Sequence, residues 1–414
     1  MFKNIKMLFN NRFNKTKCTI STSMKNIIFN FAHVILFIFL FSSCKKNIEN
    51  STVKIIETNS TITANISDLF KKFNVIQLAV NDSSLIGLRI EKIECCENKI
   101  FLLNRMHSHR NILCFDFDGN FLFKIDQIGQ GPQEYTYMGG FFIDKLKERI
   151  ILQTENNRYM FFDLNGKYIG ETTANDTYFE RQIIFLNDST LAAYNDAELT
   201  PYGYNLLELD SETFNIRNKS NNIKEIFDNS DFFPLTMYNN RILYYCTNDT
   251  VYDISQFNIE EAVYCVNFGK KQQQLKKTLH SITPEEISKR IISEFYDRNF
   301  VFVSSIFENS SWIILSFLKH KTVGNPVSSF VLYDKNKDRT YTSEHIIFDI
   351  MNLSQLANIE VIGCDNDKVL LTINQDFSNK DIRKIKESRK LNDKEKKILI
   401  ERTSEDNPLL IILE

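Results

Sequence analysis

Short alternating apolar runs, Asp-Gly and Asn-Gly hairpins at a fixed interval, and a stiff turn between neighbouring units predict an all-β chain, a six-bladed β-propeller. The glycines of Asp118-Gly119 and Asn165-Gly166 lie about 47 residues apart, inside the roughly 40 to 50 residues of one propeller blade. The stiff turn is Gly129-Gln130-Gly131-Pro132-Gln133-Glu134-Tyr135, in which two glycines give backbone freedom around a proline that fixes φ. It is expected to join the first two blades and to present Gln133, Glu134 and Tyr135 outward. The 414 residues include 35 Phe and 16 Tyr, ample material for a strand-rich core. Lys plus Arg at 50 nearly balances Asp plus Glu at 52, so no overall field draws nucleic acid, and none is expected as a partner.

The blades can be traced in order. Residues 73–80 read as a strand with no partner nearby. Blade 1 then takes 86–95, 99–103, 112–117 and 120–125, and blade 2 takes 137–144, 149–153, 159–164 and 167–171. Blade 3 uses 182–186, 190–194, 204–210 and 214–218, and blade 4 uses 233–238, 241–246, 251–254 and 262–268. Thr283-Pro284-Glu285-Glu286 is a helix start, with an N-cap, a proline at the first helical position and acids in the first turn, so a helical insertion is expected over 287–296. Blade 5 follows at 300–307, 312–318, 329–333 and 340–345. Blade 6 has only 359–364, 368–373 and 409–413, interrupted by a charged, mostly helical segment over 381–405. The orphan strand at 73–80 supplies its fourth member, because an unclosed array would end in open sheet edges.

The N-terminus carries an address. An apolar stretch over 27–41 follows Met24-Lys25 and precedes Ser42-Ser43-Cys44. At about fifteen residues it is short of the about twenty that a membrane span needs, and its order is that of a secretory signal. Residues 1–43 are therefore read as the signal region, with Met24 as the start. Cys44 resembles the lipobox cysteine of bacterial lipoproteins, where the peptidase cuts before the cysteine and lipid is attached to its thiol. Phe41 stands where an aliphatic residue is commoner. The resemblance implies an exported protein of the cell envelope, held at the outer membrane by lipid on Cys44. Residues 44–68, rich in Thr and Asn, are expected to be a tether, and 69–414 the propeller. Export permits disulfides among the six cysteines left after Cys18 and Cys44, but no CxxC pair marks a zinc site, and free cysteines packed as small apolar residues account for them equally well.

Phe115-Asp116-Phe117-Asp118-Gly119-Asn120-Phe121-Leu122, Ile128 to Tyr135, Phe162-Asp163-Leu164-Asn165-Gly166-Lys167 and Asp406-Asn407-Pro408-Leu409-Leu410 together resemble a family of six-bladed β-propeller lipoproteins of Gram-negative gut bacteria, related in shape to NHL-repeat propellers. The resemblance implies the fold and the location and brings little chemistry.

In a propeller, the loops between blades and the loops between second and third strands open on one face around the channel. That places Gln130, Gln133, Glu134 and Tyr135 beside Arg105, His107, His109 and Arg110 of blade 1 and Glu155 and Arg158 of blade 2, as one polar binding patch. His107 and His109, at i and i+2, point the same way in an extended loop and suit a metal or an anion, against a plain reading as a solvated loop. Glu134 is weighed as a general base against a role in bonding backbone amides within its turn, and the second is preferred. Nucleophile elbows, HExxH helices, phosphate-binding glycine loops and haem CxxCH sites are absent from the sequence, and no cofactor is expected. The leading reading is a non-enzymatic binder of a protein, peptide or glycan on the face bearing this loop. The competing reading is a metal-dependent, lactonase-like hydrolase or lyase acting in the channel.

Overall fold

A computed structural model describes residues 53–176, 180–195, 204–220, 233–246, 248–257, 261–280, 301–322, 325–356 and 359–414. Six antiparallel sheets form six blades. The strands of blade 1 are Arg89–Cys96, Lys99–Arg105, Arg110–Asp116 and Phe121–Ile125, and those of blade 2 are Met138–Asp144, Arg149–Thr154, Arg158–Asp163 and Tyr168–Thr173. Blade 3 has Glu180–Asn187, Thr190–Asn195, Leu206–Asp210 and Ile216–Ser220, and blade 4 has Leu235–Tyr238, Arg241–Cys246, Thr250–Asp253 and Glu261–Asn267. Blade 5 has Val301–Glu308, Trp312–Thr322, Asn325–Asp334 and Arg339–Thr342. Each blade's first strand packs against that of the next, and Ile359–Asp365 of blade 6 returns to Arg89–Cys96, so these strands form the inner wall of the ring.

The hairpin glycines have a local cause. Asp116 accepts from the amides of Asp118 and Asn120, and Asp163 does the same for Asn165 and Lys167, which folds the chain back after the third strand. Gly119 and Gly166 then take φ of +87° and +81°, the left-handed region that a side chain disfavours. At Gly119 the space is also taken, since a Cβ would overlap the Gln77 carbonyl. A similar aspartate turn recurs at Asp210 and Asp334, each closing the last hairpin of its blade. Burial pushes the Asp116 carboxyl up, but the Asn120, Asp118 and Gly119 donors outweigh it and hold the group below the usual carboxylate range.

Blade 6 closes as the sequence predicts. Its sheet runs Ile359–Asp365, Lys368–Ile373, Leu409–Leu413 and then Phe73–Gln77, with register from Leu409 opposite Gln77 to Leu413 opposite Phe73. The orphan strand ends at Gln77, earlier than position 80, because the Ala79 amide turns to the Gly119 carbonyl at 2.8 Å. Buried Asn407 completes the seam. Its Oδ1 accepts from the Ile86 amide at 2.8 Å, and its Nδ2 donates to the carbonyls of Ala79 and Ser84 at 2.8 and 2.9 Å. The charged segment is helical, over Asn379–Glu387 and Asp393–Glu401, with capping boxes at Ser378/Asp381 and Asn392/Glu395. Ile385 and Leu399 are buried and the lysines lie on the wet side.

The expected tether is corrected. Lys54–Glu57 adds to blade 4 as a fifth strand, parallel to Glu261–Asn267, and buries Ile56 completely. Ala64–Asn65 pairs with Ile346–Ile347, and the short helix Ile66–Leu69 buries Ile66. Folded structure thus starts well before residue 69. A helix also occupies Lys270–His280, a stretch that had no helical assignment, whereas the helix expected over 287–296 lies outside the described residues. No described helix is long and apolar enough to cross a membrane.

Replacing Asn407 with Ala takes the acceptor from the Ile86 amide and the amide donor from the Ser84 and Ala79 carbonyls, of which Ala79 keeps the Ser84 hydroxyl, and should destabilise the fold by about 3 kcal/mol in urea denaturation. Asn407→Asp, equal in shape but unable to donate to Ala79 and Ser84, should lose at least as much. Stability at the wild-type level in both variants would show that the ring closes without this residue.

Candidate functional site

The GQGPQEY loop does join blades 1 and 2, but its parts are used differently from the sequence reading. Tyr135 is 1% exposed and points inward, into the core shared by the two blades, so its expected outward presentation is corrected. Its amide donates to the Gln127 carbonyl at 2.9 Å, and its carbonyl accepts from the Gly129 amide at 3.0 Å, which pins both ends of the turn. The left-handed residue is Gln133, at φ 66°, and neither Gly129 nor Gly131 takes a positive φ. The glycines instead make room. A Cβ on Gly129 would overlap the Glu134 carboxylate, which folds back to accept from the Gly131 amide at 2.7 Å. Glu134 is thereby placed as a turn-holding group, and Gln130, Pro132 and Gln133 are the exposed side chains of the loop.

From this loop a continuous polar network runs across two blades. Arg158 donates to the Glu134 carbonyl at 2.8 Å and pairs with Glu155 and with Glu171. Glu155 accepts from the amides of Thr136 and Tyr137 at 3.1 and 3.2 Å. Arg110 reaches the Tyr137 hydroxyl and the carbonyls of Met138 and Gly139, and its Nε donates to Glu91 at 2.5 Å. Arg105 also donates to Glu91, at 2.8 Å. Arg105, Arg110, Glu134, Glu155 and Arg158 therefore lie on one face. His109 approaches Asp126 at 3.3 Å, while His107 is exposed on its own. Among the described residues no three His, Cys, Asp or Glu side chains converge as metal ligands.

Sequence reading missed Arg89, Glu91, Tyr137 and Glu180. A signal existed for the first two, since Arg89-Ile90-Glu91-Lys92-Ile93-Glu94 interleaves charges with apolar residues on a strand that lines the channel. Glu91, with a side chain 2% exposed, is held by Arg89, Arg105 and Arg110. Burial works against its charge, but the three guanidiniums prevail, with Arg110 the strongest, and keep the carboxyl below its usual range. At this mouth the channel holds a cavity of about 280 Å³ between Arg89 and Lys92 on one side and Ser304, Ser305 and Ser328 on another. The opposite mouth, of about 360 Å³, has Phe185, Leu186 and Met237 in its wall beside Lys145, Asp188 and Asp365.

Residues 50–414 match a family described as a domain of unknown function, DUF4934. The chain belongs to that family. No curated protein sequence matches the DUF4934 chain. Solved structures similar to it include BamB from Moraxella catarrhalis, at 7% identity and TM-score 0.33 over 77% of this chain and 80% of that one. The Pan2 WD40 domain of Neurospora crassa is another, at 11% identity and TM-score 0.32 over 61% of this chain and 74% of that one.

The cysteines of the DUF4934 chain at 95, 96, 114, 246, 265 and 364 are all free thiols. Burial pushes Cys95 and Cys114 up to about 12, so both are protonated packing groups. Glu180, at the head of the inner strand of blade 3, is a buried carboxyl that accepts from the Tyr159 hydroxyl while its Oε2 has no hydrogen-bond partner. Burial pushes it up to about 8, against the opposing hydrogen bond from Tyr159. Folded, it keeps its proton to about pH 8, whereas unfolded it loses the proton in the ordinary carboxylate range. Between those limits the folded state binds more protons, so this group's contribution to stability falls as pH rises through the window and is level above it. Glu180→Gln, which cannot ionise, should match the wild type in melting temperature near pH 5 and exceed it near pH 9. A difference between the two proteins that stays constant over that range would overturn the assignment.

Proposed function

We propose that this chain is a ligand-binding module of the cell envelope, working through the face that bears the GQGPQEY loop and held to a membrane by lipid on Cys44. The fold is compatible with binding, and one observation carries the choice of face. The polar groups weighed for chemistry are engaged in fixing backbone: Glu134 on the Gly131 amide, Glu155 on Thr136 and Tyr137, and Arg158 on the Glu134 carbonyl. What this leaves toward solvent is a rigid display of Gln130 and Gln133 with Leu88 at 54% and Tyr137 at 56% exposure. Leu88 donates its amide to the Arg105 carbonyl and Tyr137 meets Arg110, so apolar and cationic groups adjoin. Large exposed apolar side chains beside arginine on a preorganised surface are the composition of a recognition face. The lipid rests on the sequence, since Cys44 lies outside the described residues.

Two measurements test this reading. Screening the protein against arrayed glycans and peptides should give a ligand whose binding drops about tenfold or more in a Leu88→Glu, Tyr137→Ala double variant. Met237→Glu on the opposite rim should leave that binding unchanged; equal losses from both rims, or a loss from the Met237 rim alone, would place the face elsewhere. For the anchor, mass spectrometry of protein from the native envelope should find an N-terminal Cys44 with added acyl mass. A mature N-terminus at any other residue would end the lipoprotein reading.

A further inference from the structure

The outer rim at blades 4 and 5 carries an exposed apolar strand beside a basic helix. Ile56 of Lys54–Glu57 is buried, so alternation along the strand turns Ile55, and Val53 just before it, the other way; both are exposed, Ile55 at 57%. Ile62, further along the chain, is exposed as well. The strand pairs with Glu261–Asn267 of blade 4 and also touches Arg339–Thr342, the outer strand of blade 5. Gly269, at φ +88°, then turns the chain into the helix Lys270–His280, and a Cβ on Gly269 would come 3.1 Å from Asn59 Nδ2, so the helix starts against the N-terminal segment. Gln272 and Lys276, one turn apart, hold the helix to the body, Gln272 by burial and Lys276 by its pairing with Asp249. Lys270, Lys271 and Lys277 are left exposed.

The rim stays positive after its partners are counted. Lys54–Glu57, Lys270–His280 and Arg339–Thr342 hold six cations, Lys54, Lys270, Lys271, Lys276, Lys277 and Arg339, and one carboxylate, Glu57. Asp249, Glu261 and Asp338 adjoin them, and Lys337 is paired with Asp334, so six cations less four carboxylates leave an excess of two. Aliphatic side chains beside lysines suit an anionic phospholipid surface, with the apolar groups at the headgroup boundary and the ammonium groups among the phosphates. The chain outside the described residues favours that occupant. Cys44 lies nine residues before Val53, about 30 Å at full extension, so lipid on Cys44 keeps this rim within that reach of a bilayer. We infer that the rim docks on the anionic phospholipid surface that holds the anchor, through Val53, Ile55 and the lysines of Lys270–His280. In a ring of six, the seam between blades 4 and 5 lies opposite the seam between blades 1 and 2, so docking there turns the GQGPQEY loop to the side away from the bilayer. The inference rests on the lipid-anchor reading above and adds the orientation of the ring.

Quenching by brominated phospholipid tests it, on the protein and its variants purified from the envelope and placed in vesicles of phosphatidylcholine alone or of an equal mixture with phosphatidylglycerol. Trp312, the single tryptophan, is buried and gives a common background. Ile55→Trp should lose about half of its added fluorescence in the mixed vesicles and distinctly less in phosphatidylcholine, whereas Gln130→Trp should lose none in either. Replacing Lys54, Lys270, Lys271 and Lys277 together with Gln should bring the quenching at position 55 in mixed vesicles down to the phosphatidylcholine level and leave the melting temperature unchanged, because all four are exposed. Equal quenching in the two vesicle types, quenching at position 130 as strong as at position 55, or quenching that survives the loss of the four lysines would each overturn the inference. A dimer in detergent that Ile55→Glu dissociates would give the rim to a second copy and overturn it too. Protein that floats with neither vesicle would end the anchor reading and this inference with it, whereas protein that floats but leaves Ile55→Trp unquenched would end this inference alone.

Discussion

A ring of separate sheets stays closed only where its two ends share hydrogen bonds, and in this chain that junction is the pairing of Leu409–Leu413 with Phe73–Gln77. Every residue of Leu409–Leu413 is buried, so the ladder forms where water cannot compete. Asn407, just before that strand, ties the exit of the N-terminal strand to the entry of blade 1 and satisfies its own amide in doing so. The seam also brings Gly119 against Gln77, which makes the blade 1 hairpin part of the closure. Removing the N-terminal strand would expose the edge of a fully apolar strand, the kind of edge that pairs with other chains.

The other seams rely on side chains reaching from one blade to the backbone of the next. Lys92 donates to the Phe141 carbonyl and Glu94 accepts from the Ile143 amide, which links blade 1 to blade 2. Gln153 reaches the Glu180 carbonyl, Gln182 brackets Leu235 with both ends of its amide, and Ser316 donates to the Val361 carbonyl. Except between blades 4 and 5, where the Phe233 amide donates to the Ser304 carbonyl and the Phe233 carbonyl accepts from the Ile306 amide, these groups stand in for ladder bonds between the inner strands of neighbouring blades. The same need explains the composition of the inner strands, where charged and amide residues interrupt apolar ones. The mouth of the channel inherits its polarity from this joinery, and Glu91 with its three arginines stands at the outer limit of it.

Much of this was legible from residue order because the causes are local. Gly119 and Gly166 sit where only glycine fits a left-handed turn, and the aspartates at 116, 163 and 210 cap the same hairpin in successive blades. The tether was misread for the opposite reason. Lys54–Glu57 buries one side chain of four, and its partner strand is parallel and remote, so no periodicity or turn marks it. Tyr135 was misread because an aromatic beside a polar turn carries no sign of which way it faces; the space between blades 1 and 2 decides that. Of the candidate site, residues joined through neighbouring loops were found together. The grouping of Arg89, Arg105 and Arg110 around Glu91 depends on strand register, which a bulge after Ile90 shifts by one and which the sequence does not display.

The N-terminal ribbon is fixed twice before it closes the ring through Phe73–Gln77 in blade 6, first on blade 4 through Lys54–Glu57 and then on Ile346–Ile347, just after blade 5, through Ala64–Asn65. Each of these attachments is made to chain that leaves the ribosome long afterwards: Thr58 bonds Asn267, 209 residues on, and Lys72 pairs with Glu414, 342 residues on. The first part of the folded region to be synthesised is thus secured only after blade 4 has been made, and its closing strand, Phe73–Gln77, only after Leu409–Leu413. Assembly cannot be completed blade by blade behind the ribosome, because the closing strand stays unpaired until the partner that lies 336 residues beyond its start, Leu409, has emerged.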